Sequence, residues 1–140
     1  MNRNYEFEFG FDNFGSSGEN DVCAEDYRGP YPFSEPETSA LRSFILARKT
    51  IKIVVNLHAY GNLFIYPFNF DNAGNNLLQT AYPNFKHFYE RVSAMAGLPN
   101  GNLVGNGAST IQYTANGEAS DYMLSAFGII AMSPELGTSN

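Results

Sequence analysis

The chain has 140 residues, of which 44% are hydrophobic and 16% charged, a balance typical of a folded domain rather than a disordered chain. Its net charge of −6 argues against nucleic acid or an anionic membrane as a partner, because both bind to a basic face. No apolar run reaches the roughly 18 residues that a transmembrane helix needs.

The first quarter of the chain lacks the periodicity of a helix or strand. Residues 1–33 are rich in Gly, Asn, Asp and aromatic residues, which predicts a long ordered loop with a functional role. Cys23 is the only cysteine, so the chain cannot form an internal disulfide. We expect this cysteine to be a buried or inert thiol.

A helix is predicted from the segment SEPETSALRSFILAR. Ser34 is the expected N-cap, and Glu37, three residues further on, completes a capping box. Leu41, Phe44 and Ile45 have the i, i+3, i+4 spacing of one apolar helix face.

Two strands follow this helix. Residues 51–58 form the first, and its continuous apolar core of Ile53, Val54 and Val55 predicts burial on both faces, as at the centre of an α/β sheet. The segment NLFIYPF predicts a second strand that Pro67 ends.

The second half of the chain continues this alternation. A helix in PNFKHFYERVSAMAGLP places four large side chains on one face: Phe85, Phe88, Tyr89 and Val92. Gly97 and Pro99 are expected to end that helix. A Gly- and Asn-rich loop over 100–119, a short helix over 120–127 and a final strand, IIAMS, ended by Pro134 and Glu135, complete the pattern. The alternation predicts an α/β fold, with a mixed, mostly parallel sheet flanked by helices.

Two residues able to do chemistry follow buried strands. His58 and Glu135 each lie at a strand end, and ligands of open α/β sheets bind beyond the carboxyl ends of strands. We therefore expect the two side chains to meet in one crevice. An imidazole is a common metal ligand, and a carboxylate beside a metal-bound water is a suitable general base. The alternatives are a hydrogen-bonded histidine at a sheet edge and a solvated strand end. His87 is expected on a solvated helix flank.

Asn2, Arg3 and Tyr113 could bind a ligand. Arginine binds carboxylates through two parallel hydrogen bonds, and an asparagine can add a third. Tyr113 lies in a glycine-flanked loop, as a mobile lid residue would. The alternatives are a solvated arginine near the start of the chain and a tyrosine packed on the surface.

Five segments together resemble the zinc carboxypeptidases of the A and B type. In chain order they are NRNY, CAEDYRGPYPFSEPET, LHAYGNLFIYP, TANGEASDYML and GIIAMSPELG. The resemblance implies that His58 is a zinc ligand and that Glu135 is the general base. It also implies that Asn2 and Arg3 bind the free C-terminal carboxylate of a peptide or protein substrate.

The resemblance assigns three further features. Tyr113 is similar to the lid tyrosine that closes over the substrate. Ser120 matches the position at the floor of the specificity pocket, and this small neutral residue favours neutral or apolar C-terminal side chains. The Ala59–Tyr60 peptide bond is expected to be cis.

The chain also departs from this family. The family takes its other two zinc ligands from a His-x-x-Glu motif upstream of NRN, and neither this motif nor the family's final helix is present in the sequence. We therefore expect residues 1–140 to be a partial, incomplete zinc-carboxypeptidase-like catalytic domain, monomeric and inactive alone because a catalytic zinc needs three protein ligands. Relatives imply a secreted or vesicular parent protein.

Two other functions remain open from the sequence. The first is a non-catalytic module that binds peptide C-termini without cleaving them. The second is a carbohydrate-binding module, which predicts a flat row of exposed aromatic rings.

Overall fold

The computed structural model describes residues 1–95 and 103–138. A short 3-10 helix, Glu19–Asp21, lies in the N-terminal loop. The elements that follow, in chain order, are α1 (Pro36–Leu46), β1 (Ile53–Val55), β2 (Leu63–Ile65), α2 (Gly74–Ala81), α3 (Pro83–Met95), β3 (Val104–Gly105), α4 (Gly107–Thr110), α5 (Ala119–Phe127) and β4 (Ile130–Glu135). None of these helices is long and apolar enough to cross a membrane.

The strands form one mixed sheet in the order β1-β4-β2-β3. The β1–β4 and β2–β3 pairs are parallel, whereas β2 and β4 run antiparallel. The predicted α/β class, with a mixed and mostly parallel sheet flanked by helices, is confirmed.

One register relates β1 and its extension to β4. Ile53 pairs with Ile130, and His58 forms a further parallel bridge with Glu135, so each partner lies 77 positions further along the chain (53 with 130, 58 with 135). The bridge is closed by hydrogen bonds from His58 N to Pro134 O (3.0 Å) and from Leu136 N to His58 O (2.9 Å).

The last strand, β4, ends at Glu135, one of the two residues predicted to end it, and Pro134 lies inside the strand. Pro134 has no N–H to donate to the facing Asn56 carbonyl, so the ladder with β1 lacks one bond between the bond from Asn56 N to Met132 O (2.8 Å) and the bond from Leu136 N to His58 O (2.9 Å). This gap explains why regular β1 stops at Val55 although its register continues to His58.

The expected burial of β1 on both faces is wrong. Ile53 and Val55 are 54% and 49% exposed. These side chains are exposed because β1 lies at the edge of the sheet and the described residues leave one of its faces uncovered. Leu41 and Phe44 of α1 are also exposed, and only Ile45 of the predicted stripe is buried.

The capping box predicted for α1 does not form. Glu35 is the N-cap and its side chain makes no cap hydrogen bond, while the Ser34 hydroxyl donates to the Glu35 carboxylate. Buried Asn4 replaces it: its Oδ1 accepts from Glu35 N (3.2 Å) and from the Thr38 hydroxyl (2.6 Å). A residue from the N-terminal loop therefore fixes the start of α1.

Residues 1–33 form the predicted ordered loop. Its residues pack on one another, as in an edge-to-face contact of Tyr5 with Phe33, and on the rest of the chain, as in a contact of Tyr5 with Tyr122. Cys23 is exposed, so of the two expected states, a buried or an inert thiol, burial is excluded.

Several other local predictions can be compared with the structure. The segment 100–119, predicted as a loop, contains β3 and α4 in its described part, and α2 was not predicted. The helical assignments of α3 and α5 are confirmed, and His87 is exposed. The helix end expected at Gly97 and Pro99 lies outside the described residues. The Ala59–Tyr60 bond is cis as expected, and Pro67–Phe68 is also cis.

The aromatic face of α3 packs against the sheet. Tyr89 is fully buried and stacks on Tyr66 of the segment after β2. Its hydroxyl donates to the Ala131 carbonyl (2.8 Å) and accepts from the Ala131 N–H (3.2 Å). The pairing of β4 with β2 covers only Ser133 to Glu135. Tyr89 therefore supplies the hydrogen-bond partner that the Ala131 backbone lacks on that side of β4.

Replacing Tyr89 with Phe measures how much this contact contributes to the stability of the fold. We expect the free energy of unfolding to fall by about 1–3 kcal/mol, because two buried backbone groups lose their partner. Tyr60→Phe, at a position 63% exposed, should change it by less than about 0.5 kcal/mol. Urea titration followed by circular dichroism measures both, and an equal effect of the two substitutions would contradict the assigned role of Tyr89.

Candidate active site

A small cleft opens at the carboxyl end of β4, beside the loop that follows β1. Its lining comes from distant parts of the chain: Asn2, Arg3, His58, Ile65, Asn69, Gly107, Ile111, Tyr113, Ala115, Glu118, Ser133 and Glu135. Five of the six side chains that the sequence analysis singled out for a site lie in this cleft.

His58 and Glu135 lie side by side in the cleft, as expected from their strand ends. His58 Nδ1 is 3.9 Å from Glu135 Oε1, too far for a direct hydrogen bond. Their side chains are 29% and 15% exposed, so both can be reached from solvent. The predicted convergence is therefore observed, while the chemical roles of the two residues stay predictions.

The other ring nitrogen of His58 faces two amides. His58 Nε2 lies 2.9 Å from the Asn56 amide nitrogen and 3.4 Å from that of Asn2. In this arrangement Nε2 accepts, and the ring proton is on Nδ1, toward Glu135. The two nitrogens are thus distinct: Nδ1 faces the carboxylate, and Nε2 is held by the amides.

Arg3 is oriented by backbone carbonyls. Its Nε donates to Gly15 O (2.8 Å) and its Nη1 to Asn2 O (2.7 Å). It forms no ion pair within the described part of the chain. The outer edge of the guanidinium therefore remains able to bind an anion in the cleft.

Asn2 joins the start of the chain to α5. Its Nδ2 donates to Glu118 Oε1 (3.0 Å), and its Oδ1 accepts from Ala119 N (3.0 Å). The backbone reinforces the link, since Tyr5 N donates to Gly117 O (3.0 Å). The amide of Asn2 is thereby fixed in one orientation at the cleft wall.

Glu118 is a cleft residue that the sequence analysis missed. It is only 3% exposed and is the N-cap of α5, where its carboxylate accepts from the backbone N–H groups of Ser120 (2.8 Å) and Asp121 (3.1 Å). The Ser133 hydroxyl also donates to it (2.7 Å). The sequence feature that could have identified Glu118 is its place as an acidic residue at the start of a predicted helix, two positions before Ser120.

Ser120 does not line the cleft, contrary to its expected place on the pocket floor. It is 1% exposed, and its hydroxyl donates to the Glu118 carboxylate. At the start of α5, Ser120 lies behind Glu118. Glu118, and not Ser120, therefore lines the cleft. Tyr113, by contrast, lies at the cleft and is 51% exposed, next to Gln112, whose φ is +62°.

A second buried carboxyl group lies behind the cleft wall. Asp121 is fully buried and accepts from Asn69 N (2.7 Å) and Asn69 Nδ2 (3.0 Å). Asn69 in turn accepts from Gly107 N (2.7 Å), which ties α4 to α5. Burial, and then the nearby Glu118 charge, raise the pKa of Asp121 well above its ordinary range, although the Asn69 hydrogen bonds oppose them.

The donor set of the cleft is incomplete for a catalytic zinc. His58 offers one imidazole nitrogen, whereas such a site needs three protein ligands. Over residues 1–95 and 103–138, no group of three His, Cys, Asp or Glu side chains is placed to hold a metal ion. The described residues alone therefore do not fit a complete zinc site.

Comparisons with known proteins agree with the motifs in the sequence. The profile of the family "Zinc carboxypeptidase" matches residues 1–140. Rat carboxypeptidase B is 33% identical over 122 residues, covering 86% of this chain and 28% of that protein. Human carboxypeptidase A6 is 30% identical over 105 residues, covering 71% of this chain and 22% of that protein. The chain thus spans less than a third of the length of these curated relatives.

Solved structures share the fold over the whole chain. Bovine thrombin-activatable fibrinolysis inhibitor, solved in complex with tick carboxypeptidase inhibitor, matches with a TM-score of 0.73 and 22% identity, covering 100% of this chain and 46% of that chain. Carboxypeptidase A from Helicoverpa armigera matches with a TM-score of 0.65 and 24% identity, covering 100% and 33%. At these identities the likeness concerns the fold.

Asp121→Asn tests the buried carboxyl group. Because the folded state raises the pKa of Asp121 above its ordinary value of 3.8, its proton contributes stability that is complete below that pH and is lost as the pH rises through the raised pKa. The free energy of unfolding of the wild type, relative to that of the variant, should therefore fall as the pH rises from below 3.8 toward neutral.

Urea titrations of both proteins across this pH range provide the measurement. Asp21→Asn, at an exposed position, is the control and should show a smaller pH-dependent difference. A wild-type advantage that stays constant or grows with pH would contradict the direction of the shift.

Proposed function

The chain belongs to the zinc carboxypeptidase family, and we propose on this basis that it is part of a zinc-dependent metallocarboxypeptidase. The proposed reaction is hydrolysis of the last peptide bond of a peptide or protein, which releases the C-terminal amino acid. The observation that carries the proposal is one cleft lined by an imidazole, a nearby carboxylate and an unpaired guanidinium, those of His58, Glu135 and Arg3.

Arg3 is proposed to bind the free C-terminal carboxylate of the substrate. A guanidinium presents two parallel N–H donors that match a carboxylate, and a blocked C-terminus cannot satisfy this pair. Two backbone carbonyls already orient the Arg3 side chain, so little freedom is lost when the substrate binds. Asn2 is proposed to add one hydrogen bond through its second N–H, which lies toward His58 Nε2 (3.4 Å) and becomes available when that nitrogen carries the ring proton.

Glu135 is proposed as the general base. Its carboxylate lies at the cleft with partial solvent access, so it can take a proton from the attacking water and then deliver it to the leaving amine. Tyr113, half exposed at the same cleft, is proposed to close over the bound peptide.

Zinc is the cofactor that the family implies, and it supplies Lewis acidity toward the scissile carbonyl. His58 is proposed as one of its ligands through Nδ1, the nitrogen that faces the cleft. With Nδ1 bound to zinc, the ring proton would lie on Nε2, and this N–H could donate a hydrogen bond to the Asn56 amide oxygen, because the amide can present either of its ends. A complete site requires two more ligands than the described residues bring together.

A non-catalytic function is the second candidate. The incomplete donor set favours a module that binds peptide C-termini without cleaving them. The two functions differ in whether the gene also encodes the His-x-x-Glu motif that supplies the family's other zinc ligands. The assay therefore uses the chain together with any segment that the gene encodes before it, incubated with zinc and a peptide bearing a free C-terminus. Release of the C-terminal amino acid supports the peptidase, while absence of the motif together with binding but no release supports the module.

Substituting Arg3 with Ala should abolish recognition of a free C-terminus. We expect the affinity for a free-acid peptide to fall at least tenfold, since a hydrogen bond to a charged group contributes about 1.5–3 kcal/mol. Arg91→Ala, at an exposed position of α3, is the matched control and should bind as the wild type does. Fluorescence anisotropy with free-acid and amidated versions of one peptide provides the measurement; equal affinity of the wild type for both would contradict the role of Arg3.

Substitutions of His58 and His87 test the proposed zinc ligand, with His87 as the control. We expect the chain to bind zinc with a dissociation constant weaker than about 1 μM, because complete structural sites provide about 10–16 kcal/mol and this site supplies one imidazole. His58→Ala should weaken this binding, whereas His87→Ala, on the exposed flank of α3, should leave it unchanged. Competition with a zinc-sensitive dye measures both, and a larger loss in the His87 variant would overturn the assignment.

A further inference from the structure

A second pocket, the amino-end pocket, lies at the end of the sheet opposite to the cleft. Its lining comes from the ends of α1 and α5 and from the residues just before β1 and β4: Ile45, Leu46, Arg48, Lys49, Ile51, Lys52, Ala126, Phe127 and Ile129. Because β1 and β4 are parallel, they begin at one edge of the sheet and end at the other. The strand from Ile53 to His58 therefore separates this pocket from the cleft by about 16 Å, at about 3.3 Å a residue.

The base of the amino-end pocket is apolar. Ile45 and Ile129 are buried, at 5% and 4% exposure, and both belong to the core cluster between the helices and the sheet. Leu46 and Phe127, by contrast, are 50% and 36% exposed, although both line a concave surface. An apolar group that enters the pocket covers these two exposed side chains, which is favourable in proportion to the apolar area removed from water.

Three cationic side chains surround this apolar base. Arg48, Lys49 and Lys52 are exposed and line the pocket, and within the described part of the chain no acidic residue lines it. They are three of the eight Lys and Arg residues of a chain whose net charge is −6. None of the three forms an ion pair with a described residue. The mutual repulsion of such a cluster is relieved when an anion binds beside it.

The end of α1 accounts for only part of this cluster. A cation near the end of a helix interacts favourably with the last carbonyl groups, and Arg48 does so, since its Nη1 donates to Phe44 O (3.4 Å). Its guanidinium also lies over the Phe44 ring, 3.8 Å from the centroid. Lys52 lies instead at the start of the sheet, where its carbonyl accepts from Ile130 N (2.9 Å). The exposed ammonium groups of Lys49 and Lys52 therefore remain able to bind an anion.

We propose that the amino-end pocket binds a free amphiphilic anion, namely a carboxylate that carries an unbranched apolar chain. The chain covers Leu46 and Phe127, and the carboxylate binds the ammonium groups of Lys49 and Lys52. An anionic membrane is disfavoured as the source of this chemistry, because it repels a protein of net charge −6. The site is independent of the proposed function, since the cleft and the amino-end pocket share no lining residue.

The test is a titration of the uniformly labelled full chain with decanoate, below the concentration at which decanoate forms micelles. Amide chemical shifts give both the dissociation constant and the location, and we expect the largest changes at Ile51, Phe127 and Ile129. Octanoate should bind about tenfold more weakly than decanoate, because it buries two fewer methylene groups. Decanol has the chain without the charge, and acetate has the charge without the chain. Each should bind at least about tenfold more weakly than decanoate.

A matched pair of double variants tests the cations. Lys49→Gln with Lys52→Gln should weaken decanoate binding about tenfold, because it removes both ammonium groups from the pocket. Lys86→Gln with Arg91→Gln removes the same charge from α3, outside the pocket, and should leave decanoate binding unchanged.

A second matched pair tests the apolar contact. Leu46→Asn should weaken decanoate binding and reduce the difference between decanoate and octanoate, because the chain loses part of its apolar surface. Leu41→Asn, at another exposed position of α1 that does not line the pocket, should preserve both the affinity and the difference.

Several outcomes would overturn the site. Shift changes confined to cleft residues and lost in an Arg3→Ala variant would place the carboxylate in the cleft instead. Equal binding of decanoate and decanol, or equal effects of the two double variants, would remove the role of the cations. Binding to phosphatidylglycerol vesicles without binding to free decanoate would identify a membrane surface.

The two proposals fail separately. If decanoate does not bind, the amino-end site is overturned and the proposed function stands. If free-acid peptides do not bind, the proposed function fails and the amino-end site stands. Should a variant not fold, the comparison of decanoate, octanoate, decanol and acetate on the wild type decides whether the site exists.

Discussion

The parallel register between β1 and β4 is the constraint on which the candidate site depends. It pairs residues 77 positions apart, and the same register that aligns Ile53 with Ile130 brings His58 beside Glu135. Side chains alternate between the two faces of a strand, so a slip of one residue would turn one of the pair away from the cleft. The gap in the ladder at Pro134 does not alter the register, because the His58 and Leu136 amides resume the pairing beyond it.

A second constraint sets the charge of the cleft. The N-terminal loop brings Arg3 to one side, and the start of α5 places Glu118 at the inner wall. Asn2 connects them, since its carbonyl accepts from Arg3 and its amide donates to Glu118. The cleft therefore places a cation, Arg3, and a buried carboxylate, that of Glu118, at separate positions.

The sequence predicted the features that follow from local pattern. Buried apolar runs and helix periodicity identify α3 and β4, and the position of His58 and Glu135 at strand ends predicts their meeting. It did not predict what depends on three-dimensional neighbours. Exposure of Ile53 follows from the edge position of β1, and the loss of the Ser34 capping box follows from the arrival of Asn4. Glu118 was missed because its importance comes from donors on distant segments, whereas Ser120 was chosen from motif position alone.

Nuclear Overhauser contacts between β1 and β4 provide the most direct measurement of the central claim. In a uniformly labelled sample of the full chain, we expect interstrand contacts that join residues 77 positions apart, from Ile53 and Ile130 through to His58 and Glu135, with the Leu136 amide protected from exchange. Contacts displaced by one residue along either strand would place the imidazole and the carboxylate on opposite faces of the sheet and would contradict the account.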